Sequence, residues 1–299
     1  MNEILSHCML CPRKCQADRL HSQTGFCGAN DKIKIARAAL HFWEEPCISG
    51  TCGSGTVFFS HCTMKCVFCQ NYDISTQQKG KIITENELAQ KFLDLQSQGA
   101  HNINLVTPTH YVPQIISSLE IAKKHGLTLP IVYNTSGYED IQTLKMLDGY
   151  IDIYMPDMKY FDDKYAIKYS NAPGYFNIAK IAIEEMFSQV GIPVFDNNGI
   201  MKSGVIVRHL MLPGLLFDTK KIIDYLYNKY KNDIYVSLMS QYTPLPHVSA
   251  FPELNKKLNH RHYEAMINYC EELGMEKVFI QEGDAADESF IPPFNEDDI

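Results

Sequence analysis

Thr56-Val57-Phe58-Phe59-Ser60-His61-Cys62-Thr63-Met64-Lys65-Cys66-Val67-Phe68-Cys69 joins a β-branched and aromatic run to a loop that carries three cysteines. The run 56–60 reads as a strand, so the three thiols leave from its C-terminal end. Four thiolates would satisfy every iron of a cubane or close a zinc site, whereas three leave one metal position open to an outside ligand. A zinc loop completed by His61 or a distant residue is the plainer alternative. It is disfavoured, because tetrahedral zinc sites generally draw their ligands from two paired knuckles.

Outward from this loop, β-branched runs alternate with amphipathic stretches from Gly55 to Ile280, the pattern of βαβ units on a parallel sheet. Six strands are predicted, at 56–60, 102–107, 131–134, 151–155, 205–211 and 234–239. Helices are predicted to open near Thr84, Tyr111, Tyr138, Gly174, Phe217 and His260, with Glu87 three residues after Thr84 marking a cap. Residues 278–280 are a candidate late strand, and the alternating run 32–37 is a candidate early one. The stretch 241–259 holds Pro244, Pro246 and Pro252, shows no period and reads as a loop. The expected fold is α/β: a partial six-stranded β/α barrel over 55–282, behind a Cys-rich appendage over 1–54 and ahead of an acidic tail over 283–299. Barrel enzymes place their chemistry at the C-terminal ends of the strands, which nominates His110, Tyr111, His209, Gln241 and Tyr242 as cavity residues.

The 299 residues are 45% hydrophobic and 21% charged, an ordinary globular composition that excludes wholesale disorder. A formal net charge of -8 argues against a protein that grips nucleic acid by general electrostatics. Residues 1–6 lack a cationic then apolar leader, and no run approaches about 18 consecutive apolar residues, so a cytoplasmic protein without a membrane segment is expected. Ten cysteines in a reducing compartment point to metal ligation rather than disulfides, and seven of the ten fall in two tight clusters.

The C-x3-C-x2-C loop, with Phe68 just before its last cysteine, resembles the signature of the radical S-adenosylmethionine (SAM) superfamily. The likeness looks closest to pyruvate formate-lyase activating enzymes and their paralogues. It continues through Cys69-Gln70-Asn71-Tyr72-Asp73, the turn Asn134-Thr135-Ser136-Gly137, the run Met155-Pro156-Asp157-Met158-Lys159, and Arg208 leading to Leu212-Pro213-Gly214. The resemblance implies that Cys62, Cys66 and Cys69 hold a 4Fe-4S cluster whose open iron takes SAM. Reductive cleavage would then yield a 5'-deoxyadenosyl radical that abstracts hydrogen from a substrate. It also implies that Phe68 and Asn71 lie near the cofactor, that Thr135, Asp157 and Lys159 line the cavity, and that Arg208 pairs with the methionine carboxylate. Where the family usually has Gly-Gly-Glu this chain has Thr107-Pro108-Thr109-His110, so hydroxyls of Thr107 and Thr109, or backbone carbonyls beside Pro108, are expected to receive the cofactor's ammonium. Asn134 stands in place of a family aspartate.

The resemblance further implies a flavodoxin or ferredoxin as reductant. The first target reading is an activase acting on a backbone glycine of a partner glycyl radical enzyme. The second is a radical enzyme acting on a small molecule or another macromolecule, and a non-catalytic iron-sulfur electron carrier is the third. The Thr135, Asp157 and Arg208 constellation disfavours that third reading.

In the appendage, Cys8, Cys11, Cys15 and Cys27 follow C-x2-C-x3-C-x11-C, and four thiolates so close in sequence are expected to close a tetrahedral site. A structural zinc or single iron is preferred there to a second 4Fe-4S cluster, and disulfides are disfavoured in a cytosolic chain. Cys47 and Cys52 are expected to bind neither metal nor substrate, and His41, Glu44 and Glu45 around Trp43 could supply acid-base groups but read rather as a solvated strand edge.

Overall fold

The computed structural model describes residues 2–281 and Phe294. Its strands are β1 (Ile33–His41), β2 (Ser54–Phe59), β3 (Lys81–Ile83), β4 (Ile103–Val106), β5 (Ile131–Thr135), β6 (Ile153–Pro156), β7 (Val194–Phe195), β8 (Met201–Leu210), β9 (Tyr235–Met239) and β10 (Val278–Ile280). They form one sheet of order β10-β9-β8-β6-β5-β4-β2-β1-β3, with β7 pairing beside β8. From β2 to β10 along this order the pairings are parallel, while β1 runs antiparallel to both β2 and β3. All six predicted barrel strands are present. Because β3 and β10 end the order without meeting, the barrel is open rather than closed. β1 extends the predicted early strand and adds it to the same sheet.

The helices are α1 (Asn2–Ser6), α2 (Pro46–Ser49), α3 (Tyr72–Ser75), α4 (Glu85–Ser97), α5 (Val112–Lys124), α6 (Ile141–Met146), α7 (Asp163–Ser170), α8 (Tyr175–Val190), α9 (Leu216–Tyr230) and α10 (His260–Leu273). Strands β2, β4, β5 and β6 are buried at every position, as expected of parallel strands covered on both faces. The start of α4 is set by a reciprocal cap: the Glu87 amide donates to the Thr84 hydroxyl at 3.2 Å, and the Thr84 amide donates to the Glu87 carboxylate at 2.7 Å. Thr84→Ala is expected to cost about 1 kcal/mol, read as a lower midpoint in urea unfolding.

One feature of the fold sets the floor of the site. After β1 the chain turns into the barrel interior, where Cys47 and Ile48 of α2 pack among Val132, Ile153, Met155 and Ile206. The Asn102 side-chain amide holds this segment by donating to the Ile48 carbonyl at 2.8 Å. The predicted tail 283–299 lies outside the described residues except for Phe294, whose ring meets that of Phe58 edge-on at 5.5 Å. Among the described residues no helix is long and apolar enough to cross a membrane.

Candidate functional site

A cavity of about 230 Å³ lies at the C-terminal ends of the parallel strands. The loop after β2 contributes Cys66, Phe68, Cys69 and Asn71 to one wall, and Asn134, Asp157, Lys159, Arg208 and Gln241 form the opposite side. His41, Trp43 and Glu44 also line it.

The cysteine loop is held in an unusual backbone shape. His61 and Lys65 both take positive φ, 76° and 61°, and the His61 and Val67 amides are tied to the carbonyls of Ile74 and Tyr169 at 2.8 Å each. Thr107 at the end of β4 also has a positive φ of 59°, a conformation rare for a β-branched residue and typical of functional sites. Each thiol has a donor aimed at its sulfur. Ser170 donates to Cys66 at 3.0 Å, Ser75 to Cys69 at 3.4 Å and the Met64 amide to Cys62 at 3.4 Å. Burial pushes the Cys66 and Cys69 thiols up to about 12 and about 11, and each also feels the charge of Cys62. Such groups ionise at neutral pH only when a metal takes the proton's place. Three thiols on one loop, each with a donor directed at its sulfur, fit an iron-sulfur cluster with one open iron.

Opposite the thiols lies a closed ion network. The Lys159 ammonium meets Asp157 at 2.6 Å, and Arg208 reaches Asp157 at 3.3 Å, Glu44 at 3.1 Å and the Asn134 side-chain oxygen at 2.5 Å. Burial alone would raise the Asp157 pKa, but Lys159 and Arg208 outweigh it and hold the carboxyl below its ordinary range. The Lys159 pKa rises despite burial, under the influence of Asp157 and then Cys66. Gly137 permits this arrangement: at φ +77° it lies so close to the Asp157 carbonyl that any Cβ would collide with it. Tyr175 of α8 pins the same point, its hydroxyl 2.8 Å from the Ser136 carbonyl and 2.9 Å from that of Asp157 while accepting from the Lys159 amide. Gln241 is fixed by Gln281, which donates to its side-chain oxygen at 2.9 Å.

Several expectations are corrected. His110 does not line the cavity: its ring is buried beside those of His61 and Tyr111, where Nε2 lies 2.7 Å from the Ser60 carbonyl and burial pushes its pKa down to about 3. His209 likewise bridges the Met158 carbonyl and the Thr219 hydroxyl inside the core. Tyr242 is buried with its hydroxyl on the Leu254 carbonyl, although its ring meets Phe68 edge-on. Thr109 and Thr135 turn their hydroxyls onto the buried carboxyl of Glu139, and Thr107 is tied through its amide to the Asn134 carbonyl. None of these three threonines lines the cavity. Arg208, expected to await a carboxylate from outside, has all three guanidinium nitrogens on partners of this chain. Glu44 and Glu45, read as a solvated edge, are inside. Glu44 sits on Arg208 and accepts from Asn104 at 3.0 Å, while Glu45 is buried outright, which pushes its carboxyl up.

Glu139, unnoticed in the sequence, is buried and pushed up to about 7, desolvation outweighing the hydrogen bonds from Thr109, Thr135 and Tyr133. An ordinary glutamate in the unfolded chain titrates near about 4.3. The folded state therefore binds this proton more tightly, and stability falls as pH rises from about 4.3 to about 7 and levels beyond. The expected loss is about 4 kcal/mol. Denaturant unfolding at about pH 5 and about pH 8 should show this slope in the wild type and its absence in Glu139→Gln.

Residues 56–226 match the family model described as the Radical SAM superfamily. The chain is 28% identical over 287 residues to the uncharacterized protein MJ0674 of Methanocaldococcus jannaschii, an alignment covering 92% of this chain and 78% of that one. Among solved structures it is similar to Streptococcus suis SuiB bound to the precursor peptide SuiA, with TM-score 0.51, 14% identity and coverage of 74% of this chain and 46% of that one. It is also similar to the FeFe-hydrogenase maturase HydG of Carboxydothermus hydrogenoformans, with TM-score 0.52, 14% identity and coverage of 77% and 53%. This chain spans about half the length of those two proteins, and the likeness is one of fold.

Proposed function

Since the chain belongs to the radical SAM superfamily, we propose that it cleaves SAM reductively at a 4Fe-4S cluster and uses the product to activate a glycyl radical enzyme. The observation that carries this reading is one cavity shared by the thiols Cys66 and Cys69 and the ion network of Asp157, Lys159 and Arg208. Cys62, Cys66 and Cys69 would hold the cluster. Bound together, the cluster and SAM supply one-electron cleavage of a carbon-sulfur bond and a 5'-deoxyadenosyl radical able to take a hydrogen atom. The chain's own residues orient and shield. Phe68 offers an apolar face and Asn71 amide groups beside the thiols. Asn134, Lys159 and Asp157 present donors and acceptors for the amino-acid portion of the cofactor, and the segment bearing Glu44 and Ile48 closes the barrel interior against water. A flavodoxin or ferredoxin would bring the electron.

The likeness to pyruvate formate-lyase activating enzymes supports a glycine target. An extended segment would reach the site through the open side of the barrel. The test is incubation of the cluster-loaded, reduced protein with SAM and a candidate glycyl radical enzyme deuterated at its glycines. Deuterium in 5'-deoxyadenosine and a glycyl radical signal support the reading. Cleavage of SAM without label transfer from any such partner, but with transfer from a labelled small molecule, overturns it.

A further inference from the structure

We propose that Tyr160 is a positioning residue of the cluster: through the Ser170 hydroxyl it strengthens the hydrogen bond to the Cys66 sulfur and so raises the cluster's reduction potential. The inference rests on the cluster of the function proposed above and not on its glycyl target. A chain of buried contacts carries it. The Tyr160 hydroxyl lies 2.7 Å from the Ser170 hydroxyl, which in turn lies 3.0 Å from the Cys66 sulfur. Tyr160 and Ser170 are both fully buried, so water does not compete for either contact.

A hydroxyl has one proton to give. A metal-bound Cys66 is a thiolate and only accepts, so Ser170 directs its proton to the sulfur. The Tyr160 hydroxyl is then the donor to the Ser170 oxygen. Both bonds run in one direction, from Tyr160 to Ser170 to Cys66, and bonds in such a chain polarise one another where the dielectric is low. Burial, with the charge of Cys66 behind it, holds the Tyr160 pKa well above the ordinary tyrosine value, so the phenol keeps the proton it donates. An added electron makes the cluster more negative. Donors aimed at its sulfurs stabilise that state, so the chain raises the potential.

The backbone fixes the phenol from both sides. Tyr160 ends the run 157–160 that follows β6, in which Asp157 and Lys159 line the cavity while Met158 and Tyr160, at the alternate positions, are fully buried. The Met158 amide donates to the Arg208 carbonyl at 2.8 Å, and the Lys159 amide donates to the Tyr175 hydroxyl at 2.9 Å. Just beyond, the amides of Phe161 and Asp162 each donate to the Asp218 carboxylate of α9 at 2.9 Å. The Tyr175 ring meets that of Tyr160 edge-on at 5.6 Å. Ser170 is fixed as well, since it ends α7, whose Tyr169 carbonyl accepts from the Val67 amide of the cysteine loop at 2.8 Å. Hydroxyls held in this way need no reorganisation when the cluster takes an electron. One short run thus serves the cofactor cavity through Asp157 and Lys159 and the cluster's thiolate through Tyr160.

The test is a reductive titration of the full-length, cluster-loaded protein, following by electron paramagnetic resonance the signal that is lost in Cys66→Ala. Iron content and circular dichroism identify the folded, loaded variants. Tyr160→Phe should shift the midpoint to lower potential and Ser170→Ala should shift it further. The double variant should match Ser170→Ala, because Tyr160 acts only through that hydroxyl. A ring-fluorinated tyrosine at position 160 keeps the ring and makes the phenol a stronger donor, so its midpoint should lie above that of the wild type. A packing role alone would not give opposite shifts from these two replacements. If Tyr160→Phe loses the cluster, the fluorinated protein decides, and a midpoint no higher than the wild type overturns the proposal. A midpoint unchanged in Tyr160→Phe, or an equal shift by Tyr160→Phe with and without the Ser170 hydroxyl, overturns it while leaving the cluster in place. A wild-type protein with no cluster on Cys62, Cys66 and Cys69 overturns it together with the function it rests on.

Discussion

Cys66→Ala is expected to reduce the formation of 5'-deoxyadenosine from SAM to the level of the protein-free control, when the protein is loaded with iron and sulfide and reduced with dithionite without oxygen. Cys66 supplies one of three thiolates, and the loop offers no substitute. Ser170, its immediate neighbour, is a hydroxyl that donates to the sulfur and is a poor replacement for a thiolate on iron. Ser170→Ala should act on the same reaction more gently. It removes one hydrogen bond to the sulfur, which alters the cluster's potential without removing a ligand. A Cys66→Ala protein that cleaves SAM at the wild-type rate would remove this thiol from the account.

The second large effect is on stability. Asp157→Asn leaves Lys159 and Arg208 without their shared carboxylate in a site where all three side chains are at most 16% exposed. Removing one partner from a buried ion pair costs about 3–5 kcal/mol, because the remaining charge stays desolvated. For a chain of this size the expected fall in melting temperature is about 10 °C. Glu44 still faces Arg208, so Lys159 bears most of the loss. The double variant Asp157→Asn/Lys159→Met should therefore recover part of it. The pH dependence has the opposite sign to that of Glu139. Asp157 is held below the ordinary range, so its contribution is fully present above the unfolded value of about 3.9 and is lost as pH falls below that toward its folded pKa. A melting temperature unchanged by Asp157→Asn would show that the network contributes nothing net.

The six barrel strands and six of the helices could be read from the chain because their signals are local: β-branched runs, a capping box at Thr84, and turns at strand ends. The three-cysteine loop was legible for the same reason. What was not legible depends on contacts remote in sequence. Glu44 belongs to an aperiodic stretch between β1 and β2, and nothing local marks a partner 164 residues away in Arg208. The insertion of α2 into the barrel interior is hidden because four residues are too few to show a helical period. α7 escaped as well, although Asp162 caps it through the Lys164 amide, a signal the sequence carried. His110 shows the opposite error. A histidine just past a strand's C-terminal end resembles a catalytic group, but in the short turn at Thr109–Tyr111 it is buried with its ring nitrogen on the Ser60 carbonyl. Arg208 lines the cavity, but its partners Asp157, Glu44 and Asn134 come from three separate segments and no local signal marks them.

The central claim is that one iron of the cluster held by Cys62, Cys66 and Cys69 is open to SAM. The most direct measurement is electron paramagnetic resonance of the reduced, cluster-loaded full chain before and after addition of SAM. Coordination of the cofactor to the open iron should change the spectrum of that cluster, and the change should be absent in Cys66→Ala. A wild-type spectrum that SAM leaves unaltered, in protein shown to carry a reduced cluster on these three cysteines, would contradict the account.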